Sequence, residues 1–118
     1  IFKNLDLDKI LITYVEYEEM NNLFCASDFG IMIRSKRQLN YVASPTKFGE
    51  YCLSGLKVIH NNNVNQVSEI TNFLGNGQFL NSPLGIKLSL KERKSTSEKS
   101  KKIYSRGFLN MKYLLVYE

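Results

Sequence analysis

Apolar residues along this chain fall into short blocks, and amphipathic stretches lie between them. Ile10 to Val15 is a continuous β-favouring run, which predicts a strand. Behind it, Met20, Leu23, Phe24 and Ala26 recur at helical spacing after Glu16, Glu18 and Glu19. Acidic groups suit the positive end of a helix dipole, so Tyr17 to Ala26 is expected to be helical. Phe29 to Ile33 is a second short apolar run, and a polar stretch from Arg34 to Tyr41 comes after it. Phe48, Tyr51, Cys52 and Leu53 then mark a helix signalled at its start by Ser44 and Pro45 and ended by Gly55. Leu56 to Ile59 predicts a third strand, with Lys57 inside it. Asn61 to Asn65 reads as a loop, because short amide side chains compete with regular backbone hydrogen bonding. Asn63, with Gln66 three residues on, has the form of a cap for a helix from Gln66 to Leu74. Gly75-Asn76-Gly77 and Asn81 to Gly85 are turn sequences around a short strand at Gln78 to Leu80. Residues 86–94 suit either strand or helix. From Ser97 onward, Ile103, Tyr104, Phe108, Leu109, Tyr113, Leu114 and Tyr117 suggest one or two helices that close the domain at about residues 97–117.

Short strands alternating with helices are the mark of βαβ units, whose crossovers force parallel pairing and place helices on the sheet. The expected class is therefore α/β, a Rossmann-like parallel sheet with flanking helices. With 118 residues, 43% of them apolar, the chain can bury one modest core, so one domain is expected over residues 1–118. In such sheets ligands sit beyond the C-terminal strand ends, beside helix N-termini whose free N–H groups attract phosphate. Two loops qualify, Arg34 to Thr46 and His60 to Asn65.

Cysteines and charge narrow the classes further. Cys25 and Cys52 stand in unlike contexts, and a single histidine, His60, has no paired cysteine, so neither a disulfide scaffold nor a structural metal is expected. The compartment reads as reducing and cytoplasmic. No apolar run approaches the roughly 20 residues that cross a bilayer, and no export signal is visible. The chain opens on Ile1, which suggests a trimmed or partial chain. Its net charge of +5 is local: Lys87, Lys91, Arg93, Lys94, Lys99, Lys101, Lys102 and Arg106 face only Glu92 and Glu98 in that tract. Such a tract is either a solvated helix face or a surface for anionic lipid, and peripheral contact with the inner face of a membrane is one expectation. No nucleic-acid partner is expected, because aromatic residues are not interleaved with the basic ones before Tyr104.

The loop before the second helix carries the candidate chemistry. Ser44 at the cap, Pro45 at the first helical position, and Thr46 and Lys47 in the first turn form a helix start whose hydroxyls can cap or meet an anion. The dipole disfavours a lysine there by up to about 1 kcal/mol, so Lys47 suits a site that holds negative charge. Glu50 comes three residues later on the same face. Its carboxylate can accept hydrogen bonds from ribose hydroxyls, or it can be a surface ion-pair partner of Lys47 contributing well under about 1 kcal/mol. Both alternatives are open on the residues alone.

The stretch from Asn40-Tyr41-Val42-Ala43-Ser44-Pro45-Thr46-Lys47-Phe48-Gly49-Glu50-Tyr51 through Leu56-Lys57-Val58-Ile59 resembles the donor-site region of retaining glycosyltransferases of the two-domain GT-B architecture, especially the bacterial capsule and lipopolysaccharide branch. There a Ser-Pro-x-Lys helix start precedes a Glu-Tyr-Leu-x-x-Gly-x-Pro-Val-Ile segment. Ala26-Ser27-Asp28-Phe29-Gly30-Ile31 is similar to that family's Ala-Asp-x-Gly strand entrance, and Tyr113 with Tyr117 resembles its closing helix. The resemblance covers about 100 residues, with residues 40–60 its specific part. It implies that the chain is a partial C-terminal half of a GT-B glycosyltransferase, beginning partway through that half.

The resemblance also implies roles for individual residues. By it, Glu50 matches the glutamate that holds the ribose, Thr46 and Lys47 border the diphosphate, Asn63 to Asn65 fall in the loop after the Pro-Val-Ile strand, and Glu69 matches an acidic helix residue. A second glutamate, eight residues earlier in many members, is Val42 here, so backbone amides of Ala43 to Thr46 or the side chain of Asn40 would take its place. Lys57 replaces the strand's proline. The family's glycine-rich loop and basic pair have no counterpart before Ile10. The activity implied by the resemblance is transfer of a sugar from a nucleotide sugar to a saccharide or lipid-linked acceptor of a bacterial surface polysaccharide, with no cofactor beyond the donor and no metal. Turnover belongs to the longer protein, and a partial domain with exposed strand edge is expected to self-associate. The alternative classes are a stand-alone Rossmann-like nucleotide-binding or regulatory module and, behind it, a nucleic-acid-binding protein.

Overall fold

In the computed structural model, residues 6–82 and 85–104 are described. Two of the apolar runs pair as parallel strands, β1 (Phe29–Met32) and β2 (Lys57–His60), with Gly30 opposite Val58 and Met32 opposite His60. A third strand, β3 (Gly77–Phe79), pairs parallel to the other side of β2, giving the order β1-β2-β3. Parallel neighbours require crossovers. These are supplied by α3 (Thr46–Leu53) between β1 and β2 and by α4 (Asn65–Leu74) between β2 and β3. Ahead of β1 lies α1 (Met20–Ala26), between β1 and α3 the short α2 (Gln38–Tyr41), and after the sheet α5 (Leu90–Tyr104). The fold is α/β, a three-stranded parallel sheet flanked by helices, as the sequence predicts.

Both crossover helices cover one face of the sheet. Phe48 and Cys52 of α3 and Val67 and Leu74 of α4 meet Met32 and Val58 in a core that Val64 completes. Phe48, Cys52, Leu56 and Val58 are wholly buried. Gly30 permits the close approach of α3, since a Cβ there would lie 2.6 Å from the Tyr51 ring. Among the described residues, the opposite face is thinly covered. Residues 85–86 cross it where Lys57 Nζ donates to the Ile86 carbonyl (2.8 Å) and the Gly85 N–H to Gln78 Oε1 (3.2 Å), while Ile31 remains 62% exposed.

Helix α5 runs antiparallel to α3, with Arg93 against Gly55 and Tyr104 against Gly49. Gly55 adopts φ +72°, and a Cβ there would lie 2.6 Å from the Arg93 carbonyl oxygen, so only glycine fits both the helix end and the seam. The buried side of α5 is polar. Thr96 and Ser100 are its buried residues, Ser97 Oγ donates to the Leu53 carbonyl (2.6 Å), and the Arg93 guanidinium reaches the Cys25 and Ser54 carbonyls.

Several expectations are corrected. Ile10–Val15 forms no strand; it is irregular, with Leu11 84% and Ile12 89% exposed. β-branched side chains favour a half-buried pleated surface, and among the described residues this run pairs with no strand that could provide one. Residues 10–60 thus hold two strands, and the third of the sheet comes later. The polar stretch at 34–41 includes the helical turn α2. Pro45, rather than Ser44, occupies the cap of α3 (ψ 125°), with no side-chain cap bond. Val64 holds the equivalent place before α4, with no side-chain cap bond, and the Asn63 amide donates to the Arg34 carbonyl (2.7 Å). Of the open stretch 86–94, residues from Leu90 are helical, begun by a reciprocal box in which the Ser89 N–H donates to Glu92 Oε2 (2.7 Å) and the Glu92 N–H to Ser89 Oγ (3.2 Å). Those bonds hold the Glu92 carboxyl below its ordinary pKa. The closing segment from Phe108 to Tyr117, and Arg106, lie outside the described residues.

Candidate functional site

Burying Phe48, Gly49 and Cys52 leaves Thr46, Lys47 and Glu50 on the outer side of α3. Four sequence-predicted residues, Ser44, Pro45, Thr46 and Glu50, line one cavity of about 260 Å³, with Gly49, Leu53 and Tyr104 completing its wall. Tyr104 is the member that sequence reasoning missed. A signal existed in Gly49, since a mid-helix glycine costs about 0.5–1 kcal/mol and often marks close approach. Here a Cβ at Gly49 would lie 3.3 Å from the Tyr104 ring. The Tyr104 hydroxyl is buried without a hydrogen bond, and burial, with a smaller contribution from Cys52, pushes its pKa up to about 12. It is a neutral phenol at any ordinary pH.

Glu50 stands between that cavity and a second of about 300 Å³, lined on the α1 side by Tyr17, Asn21 and Phe24. Lys47 Nζ lies 3.2 Å from Glu50 Oε2, and 5.4 Å from the centroid of the Phe24 ring. The same Oε2 is buried and makes no hydrogen bond. The ammonium is therefore near enough for Coulomb attraction but is not aligned to donate, and a buried carboxylate oxygen retains an unused acceptor. Lys47 lines neither cavity. Asn40 is also apart from them: its amide donates to the Ser35 carbonyl (2.9 Å) and Oγ (3.1 Å), bracing the loop.

The two strand-end loops are tied together. The Asn61 and Asn63 amides both donate to the Arg34 carbonyl, at 2.8 and 2.7 Å. His60 lies beneath this junction as a buried residue. Its Nδ1 accepts from the Asn62 N–H (3.4 Å), and Nε2 lies 3.3 Å from Thr71 Oγ1, which donates to the Val67 carbonyl (2.7 Å). That network suits a neutral ring protonated on Nε2. Burial lowers the His60 pKa. The neutral ring therefore favours the folded state above the unfolded-state value of about 6.5, and this contribution is lost as pH falls from there through the folded pKa. Thermal melts should show stability falling as pH drops below the unfolded-state value of about 6.5, with a smaller fall in His60→Gln; equal falls in both proteins would remove His60 as the source.

Cys52 is buried beside Asn76 Nδ2 (3.6 Å), with burial pushing its thiol up to about 11, so it is a core residue and no nucleophile. Among the described residues, no group of three or more His, Cys, Asp or Glu side chains could hold a metal ion, and no helix is long and apolar enough to cross a membrane. No protein-family model matches the chain, and searches of curated proteins and of solved structures find no match.

Proposed function

We propose that this chain binds the nucleotide sugar in a glycosyltransferase that builds a bacterial surface polysaccharide on a saccharide or lipid-linked acceptor. The observation that carries the reading is the Glu50 carboxylate, with one oxygen buried, ion-paired with Lys47 but accepting no hydrogen bond, in the wall of a cavity that Ser44, Pro45 and Thr46 share at the start of α3. Ribose hydroxyls would donate to Glu50, and the Thr46 hydroxyl with the free N–H groups of the first turn would meet the diphosphate. Lys47, half exposed, would turn from Glu50 toward the phosphates. Sugar transfer depends on stabilising charge on the departing diphosphate in a closed cleft, and in this reading that task falls to groups elsewhere in a longer protein acting at the cytoplasmic side of the membrane.

Calorimetric titration with nucleotide sugars, nucleoside diphosphates and bare nucleosides, screened across the bases, tests the reading. One nucleotide sugar should bind, and its nucleoside diphosphate should compete for the same site. If none of these ligands binds, the donor assignment is wrong.

A further inference from the structure

The loops after β1 and β2 enclose a third cleft, which shares no lining residue with the two cavities beside Glu50. It has a volume of about 430 Å³ and is lined by Lys36, Arg37, Gln38, Tyr41, Asn62 and Asn63. Its walls are fixed from behind. The Arg34 N–H donates to Asn61 Oδ1 (3.4 Å), and two asparagine amides return to the Arg34 carbonyl, so the segment that presents Lys36 and Arg37 is locked to the loop that presents Asn62. Asn62 holds a left-handed backbone, φ 62°, and its Oδ1 accepts from Ser68 Oγ (2.9 Å), which leaves its NH₂ group uncommitted. Among the described residues, no acidic side chain lines the cleft. Elsewhere, Lys9, Lys47, Lys87 and Arg93 each lie within 4 Å of a carboxylate, but among the described residues neither Lys36 nor Arg37 has such a partner.

We infer that this cleft binds a phosphate group, carried by a soluble phosphorylated metabolite or by an anionic lipid headgroup, at a site separate from the Glu50 cavity. An ammonium and a guanidinium in sequence combine a point charge with a planar two-point donor, the pair suited to phosphate oxygens. The cleft lies at the C-terminal ends of two adjacent parallel strands, where α/β sheets hold ligands. Half-exposed Tyr41 offers a ring face to the organic part of the ligand. The inference does not rest on the donor reading.

Pyrophosphate titrated into the 118-residue chain tests it. Binding should weaken as salt rises, and Lys36→Gln/Arg37→Gln should weaken it by roughly tenfold or more, with an unchanged circular dichroism spectrum because both side chains are exposed. Lys91→Gln/Lys94→Gln, which removes the same charge from α5, should leave pyrophosphate affinity unaltered. Absence of pyrophosphate binding, or a loss as large in that control, overturns the inference. Vesicles containing phosphatidylglycerol distinguish the sources. Sedimentation with them that requires Lys36 and Arg37 and is competed by pyrophosphate identifies the headgroup; its absence, with pyrophosphate bound, identifies a soluble ligand.

Discussion

Replacing Glu50 by glutamine is expected to weaken nucleotide-sugar binding by roughly tenfold to a hundredfold, because a hydrogen bond to a charged group contributes about 1.5–3 kcal/mol. Folding should scarcely change. The Lys47–Glu50 pair is 50% and 27% exposed, and an ion pair of that exposure contributes under about 1 kcal/mol. The substitution keeps the shape of the side chain and removes the acceptor charge that ribose hydroxyls would use. Lys47→Ala should act differently, lowering affinity for the nucleoside diphosphate more than for the bare nucleoside, since phosphate is its proposed partner in the complex. Titration of wild type and both variants decides the matter. Wild-type affinity in Glu50→Gln would leave the carboxylate as a partner of Lys47 and nothing more.

Phe48→Ala is expected to destabilise the domain by about 3–5 kcal/mol, a large share of the roughly 5–15 kcal/mol that holds a domain folded. Phe48 is wholly buried on α3, in the cluster with Met32, Cys52 and Val58, and so joins the helix that bears Glu50 to the two strands beneath it. Its removal opens a cavity at the centre of a small core. Leu39→Ala, at an exposed apolar position, should change stability by less than about 0.5 kcal/mol. Urea unfolding of the three proteins provides the comparison, and a loss below about 1 kcal/mol for Phe48→Ala would mean that the core is centred elsewhere.

The parts of the fold legible in the sequence are those whose pattern demanded burial. Phe29–Met32 and Val58 with its neighbours are apolar runs set between helices, and parallel pairing results from the crossovers. Ile10–Val15 carries the same pattern, but a strand is defined by the neighbour it pairs with, which no local pattern reveals. Asn63 has the form of a helix cap, yet its amide turns to Arg34, 29 residues away, a tertiary bond invisible in sequence. At the site, Ser44, Pro45, Thr46 and Glu50 were legible because one helix start brings them together. Tyr104 was not, because its place depends on how α5 crosses α3. The start of α5 was within reach: Ser89 and Glu92 have the capping-box spacing, obscured by the charge of the residues after them.

The polar seam of α5 bears on how a ligand could enter. Most helices grip their domain with leucine-sized side chains, whereas α5 is attached over its first three turns by hydroxyls and an arginine, with Ile103 and Tyr104 as apolar anchors in its last turn. Hydrogen bonds exchange readily for water, so separating this seam forfeits little hydrophobic free energy. Local opening of α5 is therefore cheaper than disrupting the sheet, and its backbone amides should exchange with deuterium well before those of β1 and β2. Because Tyr104 walls the cavity beside Glu50, each such opening uncovers the proposed donor site, and a ligand that contacts Tyr104 would bind more tightly to the latched form and slow that exchange.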